Sequence, residues 1–173
     1  MKTNKVLVTG GGGFIGLALV RELCRQGRTV LVLGRHRYPA AEAAGAISLQ
    51  GDIRKLETVQ QAVAACDTVF HVAAKAGIWG SFQEYYSINV SGTLNVLAAC
   101  QQSGVKNLVY TSTPSVVFDG QDLCGADETL PYSSKPLCAY AATKILAEQQ
   151  VLRHNSEQLR TTAIRPHLVW GPG

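Results

Sequence analysis

Residues 6–16 of the chain are VLVTGGGGFIG, a short apolar run followed by four glycines and the start of an apolar helical pattern. Residues 6–9 are mostly β-branched, which favours a buried strand, and residues 14–26 have helical apolar spacing that ends at Gly27. Glycines at 10, 13 and 16 allow a tight turn from strand to helix and a close approach to a pyrophosphate. The stretch therefore predicts a dinucleotide-binding turn, with phosphates at the start of the helix.

Strand-like and helical patterns alternate along the rest of the chain. Strands are predicted at residues 6–9, 29–33, 47–50, 68–73, 108–111 and 162–169, and helices at 14–26, 56–65, 88–102 and 140–153. The strands are apolar on both faces, which is typical of a parallel sheet covered by helices. The sequence predicts an α/β fold, a doubly wound parallel sheet of the Rossmann type with helices on both faces. Residues 114–136, which contain three prolines, are predicted to form a functional loop.

Composition limits the classes of function. The 173 residues are 46% hydrophobic and 16% charged, which indicates a globular protein and excludes disorder. Apolar runs fall short of the roughly 20 residues that a membrane span needs. The net charge of +4 is too small and too scattered to predict nucleic-acid binding. The five cysteines lack metal-site spacing, so we predict reduced thiols, no metal and a cytoplasmic location.

The end of the second predicted strand indicates which cofactor is preferred. NAD-binding folds usually place an acidic residue there, about 20 positions after the glycines, to bind the ribose 2′-hydroxyl. This chain has Arg35, His36 and Arg37 instead. Because a guanidinium can bind a 2′-phosphate that a carboxylate would repel, we predict NADP(H) rather than NAD(H).

Asp52 follows the third predicted strand and has two interpretations. Its carboxylate could accept a hydrogen bond from the adenine amino group. It could equally cap a helix that begins near Lys55. The sequence alone does not choose between them.

Tyr140 and Lys144 are the predicted catalytic pair. Their i, i+4 spacing places both side chains on one helix face. We expect the ammonium to stabilise the tyrosinate and so to lower the pKa of Tyr140, which makes the phenol a usable proton donor or acceptor. Upstream, either Ser112 or Thr113 is predicted to bind the substrate oxygen, because ligands bind at the carboxyl ends of parallel strands.

Taken together, these motifs resemble the extended short-chain dehydrogenase/reductase family, and within it the 3β-hydroxysteroid dehydrogenase group. The resemblance covers essentially the whole chain. It is carried by residues 9–16 (TGGGGFIG), 51–53 (GDI), 71–80 (HVAAKAGIWG), 89–96 (NVSGTLNV), 110–118 (YTSTPSVVF), 140–144 (YAATK) and 164–173 (IRPHLVWGPG).

The resemblance implies a role for individual residues. At the pyrophosphate it places Gly10, Gly13 and Gly16, with backbone contacts from Phe14 and Ile15. It assigns the 2′-phosphate to Arg35, the adenine to Asp52 and Ile53, the cofactor edge to Ala73, Ala74 and Lys75, and the nicotinamide border to Pro166 and Val169. Tyr140 and Lys144 would be catalytic and would also contact the cofactor. The family's serine aligns best with Thr113, with Ser112 beside it.

The implied activity is NADP-dependent reduction of a 3-oxo group, in a 2-alkyl-3-oxoalkanoate or a related 3-oxo or 3-hydroxy lipid, with tyrosine as the general acid. A sugar-nucleotide epimerase or dehydratase and a non-catalytic dinucleotide-binding module are the alternatives. Family members carry a further C-terminal substrate domain. We therefore expect residues 1–173 to be a truncated NAD(P)-binding domain that could be inactive alone, and the family also suggests a homodimer.

Overall fold

The secondary structure follows the predicted alternation of strands and helices. The computed structural model describes residues 4–171; residues 1–3 and 172–173, which belong to the predicted domain, lie outside the described part. The strands are β1 (Lys5–Thr9), β2 (Thr29–Gly34), β3 (Ile47–Gln50), β4 (Thr68–His71), β5 (Asn107–Thr111) and β6 (Arg160–Ile164). The α-helices are α1 (Phe14–Arg25), α2 (Pro39–Ala43), α3 (Leu56–Val63), α4 (Phe82–Tyr85), α5 (Gly92–Gln102) and α6 (Ala139–Arg153).

All strand pairs are parallel, and the strand order is β3-β2-β1-β4-β5-β6. The order reverses between β1 and β4, which creates the crevice where ligands bind in open α/β sheets. The doubly wound Rossmann-type sheet predicted from the sequence is confirmed.

Two apolar clusters lie on opposite faces of the sheet. One joins alternate residues of β1 and β2, such as Val8 and Val32, to α1 and α2. The other joins residues such as Leu7 and Leu108 to α3, α5 and α6. Helices therefore cover both faces, as predicted.

Gly27 ends α1 as predicted. It has a positive φ of 74°, its amide donates to Cys24, and the amide of Arg28 donates to Leu23. These two bonds form a Schellman motif, which satisfies carbonyls that the end of the helix leaves free.

Several predicted boundaries were wrong. The sixth strand ends at Ile164 rather than at residue 169, and Pro166 cannot donate to a sheet ladder. The fourth strand ends at His71 rather than at residue 73. The first four residues of the predicted helix 88–102 belong to a π-helical turn, Tyr86–Ser91, and α5 begins only at Gly92. The short helices α2 and α4 were not predicted.

None of the helices among residues 4–171 is long and apolar enough to cross a membrane.

Candidate active site

Packing explains two of the three glycines in the predicted signature. Gly10 has a positive φ of 71°, and a Cβ there would lie 2.8 Å from the Ala73 backbone. At Gly16 a Cβ would lie 2.2 Å from the carbonyl oxygen of Gly10. The absence of a side chain at Gly16 therefore lets α1 approach β1 closely. These positions require glycine whether or not a ligand binds.

Gly13 requires another explanation, because the nearest atom to a Cβ there would be the Gly10 oxygen at 3.5 Å, an ordinary contact. Gly13 is the N-cap of α1, has no side chain to cap the helix, and lines an open cleft. Within residues 4–171, the amides of Phe14, Ile15 and Gly16 have no hydrogen-bond acceptor. Free amides at a helix start in an open cleft fit a pyrophosphate group.

This cleft, which we call the cofactor cleft, has a volume of about 460 Å³. It contains eleven of the residues predicted to bind the cofactor: Gly10, Gly13, Phe14, Ile15, Gly16, Arg35, Asp52, Ile53, Ala73, Ala74 and Lys75. They come from four separate segments of the chain. The fold therefore brings the phosphate turn and the ends of β2, β3 and β4 to one site.

At one end of the cofactor cleft, Asp52 and Arg54 form an ion pair. The carboxylate accepts hydrogen bonds from the Arg54 guanidinium, with Nη2 at 2.6 Å and Nε at 3.0 Å from Oδ2, and from the Arg54 amide at 2.9 Å from Oδ1. Hydrogen bonding from Arg54 lowers the pKa of Asp52, and the positive charge of Arg35 adds to this effect. The N-cap of α3 is Lys55, which receives no side-chain cap, so Asp52 does not cap this helix.

Tyr140 and Lys144 lie one turn apart in α6, but Lys144 does not lower the pKa of the phenol as the sequence analysis expected. Burial raises the pKa of Tyr140, and the Thr113 side chain partly opposes the shift. The Lys144 ammonium instead donates to the Thr111 carbonyl at 2.7 Å and lies 4.1 Å from the ring centre of Tyr110. The i, i+4 spacing gave the correct helix face but not the direction of the ammonium.

Lys144 is only 1% exposed, and burial lowers its pKa to about 7. The negative charge of Glu148, one turn further along, opposes this shift. On the other side lies His71, whose ring is hydrogen-bonded to Thr9 and Thr93 and whose pKa burial lowers to about 3. Lys144 is therefore a buried amine that can change protonation near neutral pH.

The two candidate hydroxyls point to different partners. Ser112 is 4% exposed and donates to the carboxylate of Glu148. Thr113 donates to the Ser115 hydroxyl at 3.1 Å, accepts from the Ser115 amide at 3.3 Å, and lowers the pKa of the Tyr140 phenol. Thr113, rather than Ser112, is thus the hydroxyl that the fold brings to Tyr140.

Glu148 was not singled out in the sequence. It is 1% exposed and accepts hydrogen bonds from Ser112, from the Tyr132 hydroxyl at 3.0 Å, and from Arg165 Nη2 at 2.6 Å. Its position four residues after Lys144, on the same helix face, was the available signal.

Asn89, in the π-helical turn, was also missed as an individual residue. Its amide oxygen accepts from the Lys75 backbone at 2.8 Å, and its Nδ2 donates to the Lys75 carbonyl at 3.1 Å and to Thr143 at 3.1 Å. Asn89 therefore fixes the chain that follows β4 against the start of α6. π-Helical turns of this kind are frequent at functional sites.

A larger cleft of about 1310 Å³ lies beside Thr113, and we call it the second cleft. Its walls are the loop 113–130 and residues 163–168, with Glu148 and Leu152 from α6. Pro166 lines this cleft rather than the cofactor cleft, and Val169, Tyr140 and Lys144 line neither. These four predicted cofactor contacts thus lie outside the cofactor cleft that the other eleven residues line.

Comparison with known sequences gives consistent matches. The model of the 3-beta hydroxysteroid dehydrogenase/isomerase family matches residues 7–173. A 2-alkyl-3-oxoalkanoate reductase from Stenotrophomonas maltophilia is 49% identical over 98% of this chain and 52% of its own length. A 3-beta-hydroxysteroid dehydrogenase from Mycolicibacterium neoaurum is 43% identical over 98% of this chain and 49% of its own length. The chain spans about half the length of these curated relatives.

Solved structures share the fold. MoeE5 in complex with UDP-glucose and NAD has a TM-score of 0.81 and 35% identity, over 93% of this chain and 53% of that protein. The Thermus thermophilus UDP-glucose 4-epimerase complex with NAD has a TM-score of 0.78 and 32% identity, over 93% of this chain and 54% of that protein. Both of these similar structures contain bound NAD.

Proposed function

Because this chain belongs to the 3-beta hydroxysteroid dehydrogenase/isomerase family, we propose that it is the cofactor domain of an NADP-dependent oxidoreductase that reduces a 3-oxo group. The observation that carries the proposal is the position of Tyr140 and Thr113. They meet at the carboxyl end of β5, in a sheet whose glycine turn and cofactor cleft fit a dinucleotide.

Bound NADPH would supply the hydride, and the protein would supply the proton. Burial raises the pKa of Tyr140, so the phenol is protonated before the reaction, as a general acid must be. The Thr113 hydroxyl would orient the substrate oxygen beside it. Lys144, one turn away, donates to the Thr111 carbonyl and so helps to hold the segment that carries Thr113.

The charges around the cofactor cleft support NADP over NAD. Arg54 already neutralises Asp52, and Arg37 is paired with Glu42 at 2.8 Å. Arg35 lines the cofactor cleft, and we propose that its guanidinium binds the 2′-phosphate there.

The proposed substrate is a 2-alkyl-3-oxoalkanoate or a related 3-oxo lipid. This class follows from the name of the Stenotrophomonas relative. The second cleft begins at Thr113 and exposes apolar side chains, including Phe118, Leu123 and Leu168, that suit an alkyl chain. The remaining substrate contacts would come from outside this domain, and exposed leucines on α5 and α6 (Leu94 and Leu146) offer surface for a homodimer.

A second candidate is a sugar-nucleotide epimerase, because the UDP-glucose 4-epimerase of Thermus thermophilus has the same fold with bound NAD. The two activities differ in cofactor turnover. A reductase consumes NADPH in proportion to product, whereas an epimerase returns its cofactor to the starting state. Net NADPH oxidation by a 3-oxo lipid, without conversion of UDP-glucose, would select the reductase.

The proposal is tested with Tyr140→Phe in the full-length protein. We expect Y140F to reduce turnover of a 2-alkyl-3-oxoalkanoate by at least about 100-fold, because the general acid is lost. Fluorescence titration is expected to show that Y140F binds NADPH as tightly as wild type does, and that both proteins bind NADH more weakly than NADPH. Turnover that survives in Y140F would mean that another group donates the proton.

A further inference from the structure

Three consecutive residues at the end of β5, residues 111–113, contact three residues of α6 spaced four apart. The Thr111 carbonyl accepts from Lys144, Ser112 donates to Glu148, and Thr113 faces Tyr140. Residues at i, i+4 and i+8 share one helix face. The segment 111–113 is thus held against α6 at every residue.

Glu148 is the acidic residue among these three residues of α6. Its hydrogen-bond partners come from three different parts of the chain. Ser112 follows β5, Tyr132 lies in the long loop, and Arg165 follows β6. Each donates to the carboxylate, and hydrogen bonds to a charged acceptor are about twice as strong as neutral ones. The carboxylate therefore fixes all three segments relative to one helix.

These segments are also the walls of the second cleft. Glu148 lines its base, the loop containing Tyr132 forms one side, and Arg165 and Pro166 form another. Ser112 immediately precedes Thr113, the hydroxyl that faces Tyr140. A shift of Ser112 would consequently move Thr113 away from the phenol.

We infer that Glu148 is a positioning residue, which holds Ser112 so that Thr113 stays in register with Tyr140 and which joins the walls of the second cleft. The inference deepens the proposed function and rests on it for the kinetic consequence. The geometric consequence, which is the position of Thr113 beside Tyr140, can be measured in this chain by itself. The measurement needs neither activity nor cofactor binding.

The first test compares Ser112→Ala with Thr161→Val. S112A removes the bond to Glu148 but leaves Arg165, Tyr132 and the Thr113 hydroxyl in place. T161V is a matched control, because Thr161 is a second buried hydroxyl that donates to α6, at the Val151 carbonyl, 2.8 Å away at the far end of the helix. We expect kcat to fall roughly 10- to 100-fold in S112A, with KM for NADPH unchanged, and to stay near wild type in T161V.

The second readout is the pKa of Tyr140 in this chain, followed by ¹³C NMR of labelled tyrosine. Thr113 lowers this pKa, while Cys138 and Tyr85 also lie beside Tyr140 and are unchanged in both variants. S112A is expected to raise the pKa further, and T161V to leave it unchanged. An unchanged pKa in S112A would overturn the inference, even if the full-length protein reduces no 3-oxo substrate and the proposed function fails.

A pair of double variants separates positioning from stability. E148M/R165M replaces the buried ion pair with apolar side chains of similar length, which is often neutral for stability. E148Q/R165Q keeps an oxygen that can accept from Ser112. We expect the methionine pair to behave like S112A and the glutamine pair to stay within a few-fold of wild type; equal behaviour of the two pairs would mean that Glu148 has only a structural role.

Discussion

Lys144 shows how burial can lower the pKa of an amine even when an acidic residue lies nearby. Its pKa is lowered to about 7 although Glu148 opposes the shift, and Tyr110 and His71 also face it. An amine in the unfolded chain keeps its proton to about pH 10.4. Between these values the unfolded state binds one more proton than the folded state, so stability rises with pH.

We therefore expect the free energy of unfolding to increase between pH 7 and pH 8.5, by at most ~1.4 kcal/mol per pH unit. Urea unfolding at several pH values measures this, and Lys144→Met is expected to flatten the dependence. Burial also raises the pKa of the thiols of Cys66 and Cys100, to about 11 and about 12, which lowers stability only above their ordinary range near pH 9. If the stability of the wild-type protein did not change with pH in this window, the lowered pKa of Lys144 in the folded state would be contradicted.

Arg35 is the residue on which cofactor preference depends. Arg35→Asp removes the proposed partner of the 2′-phosphate and adds a like charge, so we expect NADPH affinity to fall at least about 10-fold and the preference to change to NADH. Arg37→Gln is the control, because Arg37 is already paired with Glu42. Equal losses in both variants would indicate a general effect of positive charge, and unchanged selectivity in R35D would reject the assignment.

At the residue scale, the sequence predicted which side chains would gather but not how they would point. Spacing placed Tyr140 and Lys144 on one face and left Ser112 and Thr113 open. The directions depend on partners far away in sequence, such as Glu148 for Ser112 and the Thr111 carbonyl for Lys144. Neither local spacing nor residue type carries that information.

At the element scale, the start of α5 packs closely against Ile53, a residue that lines the cofactor cleft. A Cβ on Gly92 would lie 2.7 Å from Cδ1 of Ile53, which is buried and lines the cleft. Gly92→Ala is expected to cost ~1–3 kcal/mol through overpacking and to weaken NADPH binding by pushing Ile53 into the cleft. Chemical denaturation and a fluorescence titration measure the two effects.

Ile53→Ala in the same chain provides the control for this prediction. It removes the atoms that the new methyl group would meet, so G92A/I53A is expected to be more stable than the sum of the two single variants predicts. Simple additivity of the two substitutions would show that Gly92 is required for another reason.

The elements themselves were largely predictable, because each of the six strands and the long helices has a clear apolar period. The exceptions are short or irregular. Helix α2 has five residues and begins with Pro39 at its first position, and α4 has only four. The π-helical turn differs from an α-helix by a backbone register that the apolar pattern does not distinguish.

At the scale of the whole molecule, the second cleft presents exposed apolar side chains. Ile164 and Leu168 are 51% and 79% exposed, and Phe118 and Leu123 line the same cleft. Apolar patches of this kind mark binding surfaces. We expect this chain to bind the dye ANS in its folded state, and I164T/L168S to bind less without losing helix content by circular dichroism. Dye binding that is unaffected by the double substitution would place the apolar surface elsewhere.

The three contacts between residues 111–113 and α6 also limit how the length of this helix can vary. Each residue of an α-helix turns the chain by about 100°, so one residue inserted between Tyr140 and Glu148 would carry part of the set to another face. An insertion beyond Glu148 would leave Tyr140, Lys144 and Glu148 aligned. We therefore expect insertions and deletions in α6 to be tolerated only after Glu148, whereas the loop 117–130, which precedes Tyr132, can change in length without altering the register of the site.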